Sequence, residues 1–122
     1  MTKEEMVPFA AEIFVSNLEN SIKYYVDILG FKIHRLDSNG RFATLKFNNS
    51  ILMIQEKENL GELKRVGVVL RFMIKDIENY YKKIKSKSVE IFAPLKLMNY
   101  GLTRFKLKDP EGYIIKFSEL KK

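Results

Sequence analysis

The sequence predicts an α+β fold built from two tandem βαβββ modules, with helices covering one side of a mixed sheet. Two observations predict it. The chain repeats itself at an offset of 59 residues, Asn17 matching Asp76. In each copy a strand-like run enters a helical pattern through that Asn or Asp, and three further strand-like runs follow.

The repeat is explicit in Phe14-Val15-Ser16-Asn17-Leu18-Glu19-Asn20 and Met73-Ile74-Lys75-Asp76-Ile77-Glu78-Asn79. Asn and Asp are expected to act as N-caps, because their side-chain oxygens accept hydrogen bonds from free amides of a first helical turn. Leu18, Ile22, Tyr25 and Leu29 then form one helical stripe; Ile77, Tyr80, Tyr81 and Ile84 form the other. Gly30 ends the first helix. Strand-like runs follow at Phe31 to Leu36, Phe42 to Phe47 and Ile51 to Gln55, separated by Asp37-Ser38-Asn39-Gly40 and Asn48-Asn49-Ser50. The second half offers Val89 to Phe92, Leu102 to Leu107 and Tyr113 to Phe117, with a longer loop expected between Pro94 and Gly101 and a turn at Asp109-Pro110-Glu111-Gly112. Glu58 to Arg65 reads as a polar linker. The modules therefore run over about 7–57 and 66–120, within a single domain of residues 1–122.

Side chains alternate faces along a strand, so the outer strands carry a second message. Ala11, Ile13 and Val15 share one face and Ala10, Glu12 and Phe14 the other. Leu70, Phe72 and Ile74 oppose Val69, Arg71 and Met73. Tyr113, Ile115 and Phe117 oppose Ile114, Lys116 and Ser118. One face is uniformly apolar and is expected under the helices. The other mixes apolar groups with Glu12, Arg71 and Lys116, and is either solvated or the inside of a cavity. Glu12 and Arg71 are themselves repeat partners.

Composition narrows the chemistry. With 46% hydrophobic and 30% charged residues the chain is ordinary for a soluble protein. No apolar run approaches the roughly 18–20 residues of a membrane span. The polar start, Met1-Thr2-Lys3-Glu4-Glu5-Met6, is unlike a signal or transit peptide, and a cytoplasmic location is expected. The absence of cysteine excludes disulfides, thiol chemistry and thiolate metal sites. The net charge of +7 raises nucleic acid as a partner. The lysines are scattered, however, with Lys82, Lys83, Lys85 and Lys87 on one helix and its end, and no Arg-rich run interleaves with aromatics. A solvated basic surface is the expected reading, with neither nucleic acid nor membrane as partner.

Val15-Ser16-Asn17-Leu18-Glu19-Asn20-Ser21-Ile22-Lys23-Tyr24-Tyr25, closing on Leu29-Gly30-Phe31, resembles the first-module signature of the glyoxalase/bleomycin-resistance/extradiol-dioxygenase superfamily, also called vicinal oxygen chelate. Asn99-Tyr100-Gly101-Leu102-Thr103-Arg104-Phe105, followed by Asp109-Pro110-Glu111-Gly112-Tyr113-Ile114-Ile115-Lys116-Phe117, resembles its second-module ending. The resemblance implies a curved mixed sheet forming a half-barrel cup, helices outside, ligands inside and assembly as a homodimer. Metal-dependent members place His or Glu ligands on four cup strands. The matching positions here are Ala10, Met53, Val69 and Lys116, none of which suits a divalent cation, so no metal and no other cofactor is expected.

The expected ligand-binding residues are Glu12, Phe14, Met53, Gln55, Arg71, Met73, Tyr100 and Lys116, with Ile51 and Val69 as further wall. Each has a plainer alternative. Arg71 and Lys116 would serve equally as ion-pair partners of Glu12, and Phe14, Met53, Met73 and Tyr100 as core. His34 reads as a surface or edge histidine, Asp109 to Gly112 as a turn, and Tyr24, Tyr25, Tyr80 and Tyr81 as helix packing.

Two functions lead, ahead of a nucleic-acid or regulatory module that only the net charge motivates. The first is metal-independent, bleomycin-resistance-like sequestration of a small, partly apolar, acidic or acceptor-rich molecule, held by apolar walls and a few polar groups. The second is an enzyme of the lyase, isomerase or dioxygenase type with a non-standard site, in which Lys116 beside Glu12 acts as base or Schiff-base former. The absent metal ligands weigh toward the first, and the identity of catalytic residues stays open.

Overall fold

A computed structural model describes residues 9–60, 67–87 and 89–120. The chain divides into two compact units, residues 1–63 and 64–122. Most of the expected linker, its residues 61–65, lies outside the described residues.

The first unit runs β1 (Ala11–Val15), α1 (Leu18–Lys23), β2 (Lys32–Asp37), β3 (Phe42–Phe47) and β4 (Ser50–Glu56). Its four strands lie in the order β1-β4-β3-β2, with β1 parallel to β4 and the remaining pairs antiparallel. Asn17 caps α1 as expected: its backbone is extended and its Oδ1 accepts the Asn20 amide at 2.9 Å. The helix does not stay α-helical to Leu29. Tyr24–Ile28 forms a π-helical turn. Gly30, at φ +86°, then ends it in the left-handed conformation, and the Phe31 amide donates to the Tyr25 carbonyl at 2.9 Å. Helix and sheet meet through Leu18, Tyr25 and Leu29 above Ile13, Val15, Ala43, Leu45, Leu52 and Ile54, all buried.

The second unit repeats the plan: β5 (Val69–Ile74), α2 (Ile77–Lys85), β6 (Ile91–Leu97), β7 (Thr103–Lys108) and β8 (Ile114–Glu119), in the order β5-β8-β7-β6 with β5 parallel to β8. Its core is aromatic. Phe117 stacks on Phe105 at 5.2 Å and on Phe72 at 5.7 Å between ring centroids, while Tyr80 of α2 meets Phe117 edge-on at 4.9 Å. Tyr80 and Tyr81 thus pack α2 onto its sheet, while buried Tyr24 and Tyr25 meet each other edge-on at 5.6 Å and Tyr25 meets Phe31 at 5.3 Å.

Two local expectations are corrected. Asp76 does not cap α2 with its side chain. It sits in the left-handed region at φ +52°, and its Oδ2 instead accepts from the Asn79 side chain at 2.9 Å. The loop expected after Pro94 is strand: β6 runs through Pro94 to Leu97. Proline lacks an amide donor, which an edge strand tolerates, and the ladder to β7 shifts register on both sides of Ala93. Arg104 Nη1 donates to the Pro94 carbonyl at 2.9 Å and ties the irregular stretch to β7.

Asp109 to Gly112 is the turn the sequence predicts. Asp109 is buried and its Oδ1 accepts the amides of Glu111 and Tyr113 at 2.9 and 2.8 Å. The result is an α+β fold of two βαβββ units, each a four-stranded mixed sheet with one face under a helical segment.

Candidate functional site

The alternation read from the sequence holds in both sheets except at Thr44 and Ser118, which are buried on the opposite parity. Ile13 and Val15, Leu70, Phe72 and Ile74, and Tyr113, Ile115 and Phe117 are all buried. Glu12, Arg71 and Met73 on the opposite parity are exposed; Phe14, Ile114 and Lys116 are half-buried. Each sheet therefore has an open face, and the ladder registers set its side chains in rows.

In the first sheet one row runs Glu12–Met53–Thr44–Arg35 across β1, β4, β3 and β2; the next runs Phe14–Gln55–Phe42–Asp37. Glu12 and Arg35 stand at opposite ends of their row, with Met53 and the buried Thr44 between them. Lys57 Nζ lies 4.6 Å from the centre of the Phe14 ring. Gln55 is already engaged: its amide donates to the carbonyls of Gly40 at 2.8 Å, Glu56 at 3.2 Å and Arg41 at 3.3 Å. That clamps the β2–β3 turn and leaves Oε1 as the atom Gln55 can offer a ligand.

In the second sheet the rows run Val69–Ile114–Lys108, Arg71–Lys116–Lys106–Ala93 and Met73–Ser118–Arg104–Lys96. The middle row sets three cations side by side on β5, β8 and β7. Sequence parity places Arg71 and Lys116 on a common face; their direct pairing, and Lys106 beside them, come from the register. Lys116 Nζ sits 5.8 Å from the centre of the exposed Tyr100 ring. Glu119, next along β8 from Ser118, falls to the other parity and accepts the Thr103 amide at 3.3 Å. No carboxylate belongs to these three rows.

Of the expected ligand-binding residues, Glu12, Phe14, Met53 and Gln55 thus share the open face of the first sheet. Arg71, Met73 and Lys116 share that of the second, with Tyr100 in the β6–β7 turn against Lys116. Phe14, Met53, Met73 and Tyr100 are not buried core; Met73 and Tyr100 are about half exposed, at 49% and 54%. Sequence reasoning overlooked Arg104, Lys106 and Ser118. Alternation along β7, where buried Phe105 and Leu107 interleave with Arg104, Lys106 and Lys108, would have found the two cations.

Three hollows stand out among the described residues. One of about 490 Å³ lies at the end of the second sheet, lined by Gly67, Val68, Val69, Phe92, Lys108, Gly112 and Ile114; Lys108 Nζ lies 5.0 Å from the Phe92 ring centre. A second, of about 610 Å³, lies in the first unit by Leu18, Ile22, Leu36, Arg41 and Glu56. There the Glu56 carboxylate accepts the Leu18 amide at 3.2 Å and pairs with Arg41 at 3.4 Å. The third, of about 450 Å³, includes His34, which is exposed on edge strand β2 where the ladder to β3 shifts register.

The order β-α-β-β-β, repeated, with the first strand of each unit parallel to the last, coincides with a sequence match. Residues 7–117 match the Glyoxalase/Bleomycin resistance protein/Dioxygenase superfamily. The chain belongs to that superfamily. Solved structures of similar fold include a glyoxalase/bleomycin resistance protein/dioxygenase from Alicyclobacillus acidocaldarius, with TM-score 0.80 and 22% identity over 100% of this chain and 96% of that one. TioX from Micromonospora sp. ML1 gives 0.75 and 19% over 90% and 96%. An integron cassette protein from the mobile metagenome of the Halifax Harbour sewage outfall gives 0.76 and 26% over 93% and 100%. The sequence matches no curated protein.

Superfamily membership raises the question of a metal. The positions that the resemblance assigns to metal ligands are Ala10, Met53, Val69 and Lys116, and the last three stand on the open faces of their sheets. A methyl, a thioether, an isopropyl and an ammonium group supply no set of anionic or imidazole donors, and two further cations flank Lys116. These residues do not fit a divalent cation. Among the described residues no three His, Asp or Glu side chains gather where they could hold one.

Proposed function

We propose that this superfamily member is a cytoplasmic, metal-independent binding protein that sequesters a small, partly apolar, acidic molecule, in the manner of bleomycin-resistance-like proteins. The observation that carries this reading is the row Arg71–Lys116–Lys106 on the open face of the second sheet. Like charges directly opposite one another on neighbouring strands oppose folding, so three in a row call for an anion. Apolar Val69, Met73 and Ile114 flank the row, which suits a ligand with an acidic group on an apolar body. On the open face of the first sheet, Phe14 and Met53 likewise offer apolar surface and Glu12 a carboxylate.

The test is a ligand screen at low ionic strength, using small aromatic and aliphatic acids beside their neutral isosteres, followed by amide chemical-shift mapping. Saturable binding of acids over isosteres, with shifts on β5, β7 and β8, is expected. Equal response to acids and isosteres would refute it.

Homodimerisation belongs to the same proposal. Edge strand β2 is exposed along its whole length, and its Ile33 and Leu36, 48% and 50% exposed, pair with buried Leu45 and Ala43 on the helix side of the sheet. An open apolar edge of this kind needs covering. Sedimentation at micromolar concentration should show a species of twice 14.3 kDa.

A further inference from the structure

The second sheet presents more than a basic row. Ser118 stands beside Lys116 along the open side of β8, between Met73 on β5 and Arg104 on β7. It is fully buried, and its Oγ has no hydrogen-bond partner among the described residues. A buried hydroxyl left unsatisfied is costly and is not expected without a use. Arg104, Lys106, Lys116 and Ser118 occupy the four corners of one cell of the ladder, in register pairs Arg104–Ser118 and Lys106–Lys116. Such a cell measures about 5 Å between strands and about 7 Å along them. Arg104 spends Nη1 on the Pro94 carbonyl and Lys116 leans on the Tyr100 ring. Lys106 forms no ion pair within the second unit among the described residues.

We propose that this cell holds the phosphoryl group of a small organic phosphate monoester, whose apolar body lies toward the hollow of about 490 Å³ lined by Val69, Phe92 and Ile114. The inference rests on the binding function proposed above and names its ligand class. A phosphoryl group carries between one and two negative charges and three acceptor oxygens. Three cations and one hydroxyl donor at the corners of a cell this size complement it. A carboxylate, with one charge and two coplanar oxygens, would leave the row only partly neutralised and has one acceptor oxygen fewer for the four corners. The hollow lies one row further along the same open face: Val69, Ile114 and Lys108 are each two residues from Arg71, Lys116 and Lys106. A ligand with its phosphate on the cations therefore has apolar wall within reach of its other end.

Phenyl phosphate is the probe, with inorganic phosphate, benzoate and benzyl alcohol as comparisons, in sodium chloride buffers of matched ionic strength. Phenyl phosphate should bind most tightly, with amide shifts at Lys106, Lys116 and Ser118. Lys106→Met and Ser118→Ala should each weaken it about 10- to 150-fold, the range for one hydrogen bond to a charged group. Ser118→Ala should also leave the unliganded protein at least as heat-stable as before, because it removes an unsatisfied group; loss of stability together with binding would indicate a merely structural hydroxyl and overturn its role. Unchanged affinity in both variants overturns the proposal. So does tighter, steeply salt-dependent binding of a short DNA or RNA strand. If benzoate binds as well as phenyl phosphate and Lys106→Met weakens both, the acid-binding function stands and the phosphoryl assignment falls. If none of the four probes binds, both fall.

Discussion

Lys106 on β7 and Lys116 on β8 stand directly opposite each other in an antiparallel ladder, and Arg71 on β5 completes the row on the far side of Lys116. Cross-strand neighbours of like charge repel, and opposite charges in the same place attract. The second sheet is thus held together by its buried face, where Phe72, Phe105 and Phe117 stack, against a repulsive open face.

Lys106→Glu should therefore raise stability while removing anion binding. Replacing repulsion by attraction opposite Lys116 is expected to contribute about 0.2–1 kcal/mol. Chemical denaturation measures the first effect and a phenyl phosphate titration the second. A variant that loses stability would show that the two ammonium groups do not repel in solution.

The two helix starts should respond differently. Asn17→Ala removes the oxygen that accepts the Asn20 amide and should cost about 1 kcal/mol. Asp76→Gly removes no cap and relieves a left-handed backbone, so unfolding free energy should stay within about 0.5 kcal/mol of the parent. Parallel urea melts compare them directly.

Asp109→Ala should be the most damaging of the turn substitutions. It removes the acceptor of the part-buried Glu111 amide and the buried Tyr113 amide before β8, at a cost of about 1–3 kcal/mol for the buried group left unsatisfied. Thermal unfolding with and without the substitution tests it; a shift as small as that of an exposed turn residue would contradict the burial of Asp109.

Purified protein should carry no stoichiometric divalent metal, since Ala10, Met53, Val69 and Lys116 provide no ligand set. Elemental analysis after desalting should find nickel, zinc, iron and manganese far below one ion per chain. Addition of each metal should leave the melting temperature unchanged, because a cation bound only by the folded state would raise it.

The sequence by itself determined the module plan. Periodicity and the 59-residue repeat located both helices and all eight strands, because burying one face of a strand or helix forces apolar residues into a period of two or 3.6. It also determined which side of β1, β5 and β8 is open, since alternation needs no knowledge of neighbours. It misjudged Pro94, because a proline in mid-strand looks like a break until the strand is known to be an edge with register shifts. It misjudged Asp76 as well, because a good capping residue type does not fix the backbone conformation that capping requires. Only the tertiary structure decided the site. Lys106 and Lys116 are ten positions apart and become partners through the β7–β8 register, while Arg71 reaches the same row through a parallel pairing across 45 positions. Register is set by the packing of Phe105, Leu107, Ile115 and Phe117 beneath the sheet, a property of the assembled core that no local run of sequence encodes.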